Sequence, residues 1–187
     1  MKENVNSAIQ ELIDILEKSK LVDLKQKLVA TFICNELEEI HLREDIRNSI
    51  RFKTLFDNLY TMKGPVLYWF KIRSTNTTKE IFDTLNKYKG LHSGRVVPAL
   101  RKNCPPDSEY LYVGKVKRYF WGRIVQHLGY AKDPRTQGLQ LFYWAKNLNL
   151  EVELYAIEFD KDMADLLGVL ETLMAREFKP IVGSHSN

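Results

Sequence analysis

Arg123 and His127 stand four residues apart, so a helix through them carries both on one face. That face flanks an apolar stripe of Phe120, Trp121, Ile124, Val125 and Leu128, which puts the guanidinium and the imidazole at the rim of a buried surface. Glu171 sits in the same way at the boundary of a second stripe, Met163, Leu166, Leu167, Leu170, Leu173 and Met174. Two tyrosines, Tyr68 and Tyr112, lie in short apolar runs of strand character, and Lys115 follows the second. A carboxylate at the boundary of such a stripe can point into a cleft between elements. Taken singly, each has a plainer reading. Arg123, His127 and Glu171 fit solvated helix faces, and strand tyrosines are ordinary core material.

Charge narrows the class of ligand. The 187 residues carry 28 Lys and Arg against 24 Asp and Glu, a modest net +4. Residues 85–135, however, hold 11 basic against 3 acidic side chains, while the rest of the chain is net acidic. A field concentrated in one segment suits a phosphate ligand, and Arg95, Arg101, Lys102, Lys117 and Arg118 are the candidate nucleic-acid contacts. With 44% hydrophobic and 11% aromatic residues, the chain can build one substantial core. No run approaches the roughly 20 apolar residues of a membrane span, so no membrane partner is expected. The polar start, MKENVNSAIQ, lacks the apolar centre of a secretory signal. Cys34 and Cys104 have neither a CxxC partner nor a histidine at metal-finger spacing, and read as free thiols in a reducing, cytoplasmic compartment.

The elements that must position these groups follow from periodicity. Residues 1–62 predict a helical N-terminal segment, a small bundle of three helices free of Gly and Pro up to Gly64. The first opens on a Ser7-x-x-Gln10 capping box and carries Ile9, Leu12, Ile13 and Leu16. The second, capped by Asp23, carries Leu24, Leu28, Val29, Phe32, Ile33 and Leu37, and the third Ile46, Ile50, Leu55, Phe56 and Leu59. After Gly64-Pro65, Val66 to Ile72 predicts a buried strand and Lys79 to Tyr88 a short helix ended by Gly90. Tyr110 to Val113 predicts a strand ending at Gly114, and the Arg123 helix stops at Gly129. A helix over Gly138 to Lys146, a strand over Leu150 to Phe159 and a helix over Lys161 to Phe178 complete the chain. The class is α+β: a small antiparallel sheet flanked by helices over residues 63–187, with an insertion at about 73–109, preceded by the helical bundle.

The order of these features resembles the GIY-YIG nuclease superfamily. Val66-Leu67-Tyr68 stands where that family has Gly-Ile-Tyr, and Tyr112-Val113-Gly114 where it has Tyr-Ile-Gly. Gly122-Arg123 to His127 matches its first helix, Glu171 its metal-binding glutamate, and Pro180 falls nine residues later, as is common there. The resemblance implies a divalent-metal-dependent endonuclease, a phosphodiester hydrolase of restriction, repair or mobile-element type. Its substrate would be duplex or branched DNA, with RNA left open. Glu171 would ligate one Mg²⁺ or Mn²⁺, Arg123 would bind the scissile phosphate, Tyr68 would accept the water's proton and Tyr112 would orient water or phosphate. Lys115 and His127 would supply charge and orientation. This requires Tyr68, Tyr112, Arg123 and Glu171 to meet in one cleft; a Glu171 carboxylate across the sheet from Arg123 is incompatible with it.

The chain departs from the pattern in three places. Val66 replaces the first glycine, some forty residues separate the two motifs instead of a hairpin turn, and Gly183-Ser184 stands where many members have an asparagine, with Asn187 farther on. The alternative reading is a catalytically weak module of the same kind that binds nucleic acid without cutting it.

Overall fold

The computed structural model describes residues 2–21, 27–91, 94–101, 103–105 and 107–183. At its centre is a four-stranded antiparallel sheet of β1 (Lys27–Ile33), β2 (Val66–Ile72), β3 (Tyr110–Val116) and β4 (Glu151–Glu158), in the order β1-β4-β2-β3. Around it lie α1 (Lys2–Leu21), α2 (Lys53–Thr61), α3 (Thr78–Lys89), α4 (Phe120–Leu128), the single turn α5 (Leu141–Trp144) and α6 (Leu167–Phe178). The α+β class, the antiparallel sheet and a helix ahead of it are as the sequence predicts.

β2 has β4 on one side and β3 on the other, and its first five residues are all buried. A strand covered on both faces needs no polar alternation, which is why Val66-Leu67-Tyr68-Trp69-Phe70 is continuously apolar. Its side chains still alternate between faces. Val66, Tyr68 and Phe70 enter the larger core with Phe120, Ile124 and Leu128 of α4. Leu67 and Trp69 enter a smaller one with Val113, Leu167 and Ala175 beneath α6. α4 and α6 therefore cover opposite faces of the sheet.

The N-terminal segment departs most from expectation. Leu28 to Ile33, predicted as a second helix, forms β1 and pairs with β4, so this segment adds a strand to the sheet instead of completing a separate bundle. The run Leu-Val-Ala-Thr-Phe-Ile fits either period, and an open sheet edge decides it. Asp23 and Leu24 lie outside the described residues. Ile46 and Ile50 fall in short 3-10 turns, so the third helix begins only at Lys53. Ser7 lies inside α1, not at its start, and Ile9, Leu12, Ile13 and Leu16 are exposed while Ile15 packs on the smaller core.

Smaller differences occur downstream. α3 starts at Thr78 behind a capping box of Thr77 and Glu80. β3 continues through Gly114 to Val116, since the glycine faces β2 in register instead of turning the chain. The helices predicted over 138–146 and 161–178 shorten to α5 and α6, each accompanied by a 3-10 turn. The later part of the insertion is tied to the C-terminal stretch: Gly183 N–H donates to the Ala99 carbonyl at 2.8 Å, and Leu100 bridges to Val182. Ile181 and Val182 run beside β3, donating to the carbonyls of Tyr110 and Leu111. From Gly114 onward the outer edge of β3 has no strand partner among the described residues.

Candidate active site

Four of the predicted residues are joined by direct hydrogen bonds on the α4 face of the sheet. Tyr68 is wholly buried in the central strand, and its hydroxyl lies 2.8 Å from His127 Nε2. Arg123 Nε donates to the same oxygen at 3.1 Å, and an Arg123 terminal nitrogen reaches the Tyr112 hydroxyl at 3.4 Å. The other terminal nitrogen is taken by Gln126 Oε1 at 2.8 Å and the Gln137 carbonyl at 2.5 Å. The guanidinium is held at every nitrogen, and one hydrogen beside Tyr112 remains available to a ligand.

His127 is fixed from both sides. The Leu139 backbone N–H donates to Nδ1 at 3.1 Å, so Nδ1 carries the lone pair and Nε2 the proton. The rings of Tyr68, Phe70 and Tyr112 surround the imidazole at centroid distances of 5.5, 5.3 and 5.0 Å. Burial, with Arg123 adding, holds its pKa well below the ordinary histidine value, so it is neutral at physiological pH. Nε2–H therefore donates to Tyr68. With His127 and Arg123 both donating to it, the Tyr68 oxygen has its lone pairs occupied and its own proton directed elsewhere.

Burial pushes the Tyr68 pKa well above the usual tyrosine value; Tyr112 and Glu171 add to the shift, and Arg123 opposes it. Burial works against the charge of Arg123, but the oxygens of Tyr68 and Tyr112 outweigh it and its pKa is raised. The pair thus consists of a neutral phenol and a firmly charged guanidinium.

Gly114 explains how Tyr68 reaches this position. It pairs with Tyr68 across the β2–β3 ladder, and a Cβ there would lie 2.7 Å from the Tyr68 hydroxyl and 2.5 Å from a Tyr112 ring carbon. No side chain fits between the two phenols.

Lys115 and Glu171 form a second pair on the α6 side. Lys115 Nζ lies 3.6 Å from Glu171 Oε2, with 18% of the glutamate side chain exposed. Gly168, one turn earlier on α6, leaves room for the lysine: a Cβ there would stand 2.7 Å from Nζ. Of the four residues expected in one cleft, Tyr68, Tyr112 and Arg123 are joined directly, while among the described residues no hydrogen bond or ion pair joins Glu171 to them. Arg123 stands on the helix over one face of the sheet and Glu171 on the helix over the other. On β3 the successive residues Gly114 and Lys115 meet Tyr68 and Glu171 respectively, and the Glu171 charge adds to the upward shift of the Tyr68 pKa.

The five predicted nucleic-acid contacts separate. Arg95 donates to the Tyr143 hydroxyl at 2.8 Å and the Ala131 carbonyl at 2.5 Å, and lies over the Tyr143 ring. Arg101 donates to the Ala175 carbonyl near the end of α6 at 2.9 Å. Both make hydrogen bonds within the fold. Lys102 lies outside the described residues, as do Ser184 and Asn187. Lys117 and Arg118 are exposed and border a groove beside the site. Gln126, one turn after Arg123, was open to sequence reasoning; the Gln137 carbonyl and the Leu139 N–H were not, since only the path of the 130–140 loop brings them there. Among the described residues no helix is long and apolar enough to cross a membrane. Comparison with protein-family models, curated proteins and solved structures finds no match to this chain.

Proposed function

We propose that the chain is a divalent-metal-dependent endonuclease that hydrolyses phosphodiester bonds in DNA, with duplex or branched DNA as substrate and RNA also compatible. The observation that carries this reading is the hydrogen-bonded set Tyr68, Tyr112, Arg123 and His127, with the Lys115–Glu171 pair carried on the same edge strand where it has no strand partner among the described residues. A strand edge can be approached by an extended polyanion, which a closed pocket would exclude.

Arg123, already anchored through its other hydrogens, directs its remaining terminal donor at a phosphate oxygen. His127 holds the Tyr68 oxygen in place, and the Tyr68 proton is the one free to meet a phosphate oxygen or a water. For Tyr68 to accept a proton from water, positive charge must offset the burial that disfavours its ionised form. Arg123 supplies part of that charge.

Among the described residues no group of three or more His, Cys, Asp and Glu is placed to hold a metal. A single carboxylate, Glu171, fits the habit of Mg²⁺ or Mn²⁺, which keep waters and take substrate oxygens as further ligands, better than that of a closed zinc site. When bound, the cation supplies Lewis-acid stabilisation of the leaving oxygen. Lys115 neutralises Glu171 in its absence and must yield the carboxylate to it.

The test is nicking of supercoiled DNA in Mg²⁺ by the parent and by Glu171→Gln. The variant keeps the size of the side chain and leaves Leu167 and Ala175 in the smaller core undisturbed. It should melt like the parent, keep its DNA affinity, and cut at least about a thousandfold more slowly. A variant that folds and cuts at the parent's rate removes Glu171 as the ligand and the nuclease reading with it. The second reading, a module that binds without cutting, is favoured by the Lys115 partner on Glu171 and the burial of Tyr68. It predicts salt-dependent DNA binding with no nicking in Mg²⁺ or Mn²⁺.

A further inference from the structure

Beside the candidate site lies a groove of about 590 Å³ at the junction of β3, the start of α4 and the turn before α6. Its lining includes the cations Lys63, Lys117, Arg118 and Lys161 and the carboxylate Asp165. Lys117 bonds Asp165, which holds that carboxyl below its ordinary pKa, so the other three cations set the sign of the groove. Two aromatic side chains complete the wall. Tyr119 is 70% exposed, its backbone in the left-handed region at φ 58°, and its ring meets Trp121 edge-on at 6.3 Å. Trp121 itself is held by Tyr60 and by Arg47 over its ring. Among the described residues Tyr119 makes no side-chain hydrogen bond, and neither core includes it.

An exposed tyrosine on a costly backbone conformation, in a cavity of cations, has a ring face to offer and charge around it. Bases inside a duplex already have their faces covered by stacking, so a protein ring reaches only a base outside the stack. The groove is also in register with the site. Val66 pairs with Val116, Pro65 lines the groove, and the Tyr68–Gly114 pair lies three residues back, about 10 Å along the strands. Its volume lies within the usual range of ligand pockets, roughly 300–1,000 Å³.

We propose that this groove binds single-stranded nucleic acid, with an unpaired base stacked on Tyr119 and the flanking phosphates held by Lys63, Arg118 and Lys161. The inference rests on the nuclease reading for its bearing on substrate choice: the substrate would carry an unpaired nucleotide next to the scissile phosphate, as at a branch or flap. Binding itself does not depend on cleavage.

The experiment is fluorescence anisotropy in EDTA with a labelled single-stranded oligonucleotide and a blunt duplex of the same sequence, using the full chain. Tyr119→Ala should weaken single-strand binding about tenfold and duplex binding less, and Tyr119→Phe, which keeps the ring, should restore the parent affinity. Lys161→Ala should lower the single-strand salt slope by about 0.7, and it carries the test if Tyr119→Ala does not fold. Overturning results are an unchanged single-strand affinity, an equal loss for duplex, Phe as weak as Ala, or no single-strand binding by the parent. Nicking with no effect of Tyr119 fails the groove alone. A Tyr119 effect in a protein that never nicks fails the nuclease reading alone.

Discussion

His127 has no exposed surface, and the aromatic rings around it leave no place for the water that an imidazolium needs. Its folded pKa is depressed, whereas the unfolded chain takes up a proton at about 6.5. Between the folded value and about 6.5 the unfolded state binds more protons, so stability is fully present above that window and is lost as pH falls through it. Thermal melting of the parent should therefore drop on acidification below about pH 6.5. In His127→Gln the melting temperature is lower at neutral pH, because the Tyr68 and Leu139 partners are disturbed, but its slope against pH should be shallower. Equal slopes would mean that other groups carry the acid sensitivity. Tyr68 obeys the same logic: its hydroxyl is shared by two donors within a network, and burial disfavours its ionised form.

β3 matters as an element because it is an edge strand carrying a glycine where its neighbours carry tyrosines. Gly114→Ala puts a methyl against the Tyr68 hydroxyl and the Tyr112 ring at distances no side chains tolerate, so a phenol must move. The expected cost is about 1–3 kcal/mol in urea unfolding, with Arg123 losing its register to both hydroxyls. On the nuclease reading, cleavage falls further than stability does. A variant that matches the parent in both measurements would mean that the strand relaxes and the close approach is dispensable. α3 gives a simpler element-scale expectation: Thr77→Ala removes the capping box and should cost about 1 kcal/mol without touching the site.

Across the whole molecule, the positive segment of the sequence is divided between two tasks. Arg95 and Arg101 are spent on the 94–101 stretch and the end of α6, while Lys117 and Arg118 face the groove. Arg101→Ala should consequently lower the melting temperature, since Ala175 loses a charged partner, and, on the nucleic-acid-binding reading, leave the salt slope of binding unchanged. Arg118→Ala should do the reverse, flattening the slope by about 0.7–0.9 according to whether the bound strand is single or duplex. A flattened slope in Arg101→Ala at unchanged stability would return that arginine to the interface.

Much of this was legible in local pattern. The continuous apolar run from Val66 marks a strand buried on both faces, Arg123 and His127 share a helix face as their spacing requires, and Gly90 and Gly129 stop their helices. These depend on period and turn chemistry, which neighbouring residues determine among themselves. Leu28 to Ile33 shows the limit. Its apolar run suits helix or strand, and the choice belongs to β4, more than a hundred residues away, which offers the hydrogen bonds. Tertiary structure alone also decided how the site is assembled. The tautomer of His127 is set by the Leu139 N–H, the guanidinium of Arg123 by the Gln137 carbonyl, and the pairing of Glu171 with Lys115 by the packing of α6 on β3. Spacing along a chain states which residues share a face. Which faces then meet, and around which edge, is a property of packing that no local pattern contains.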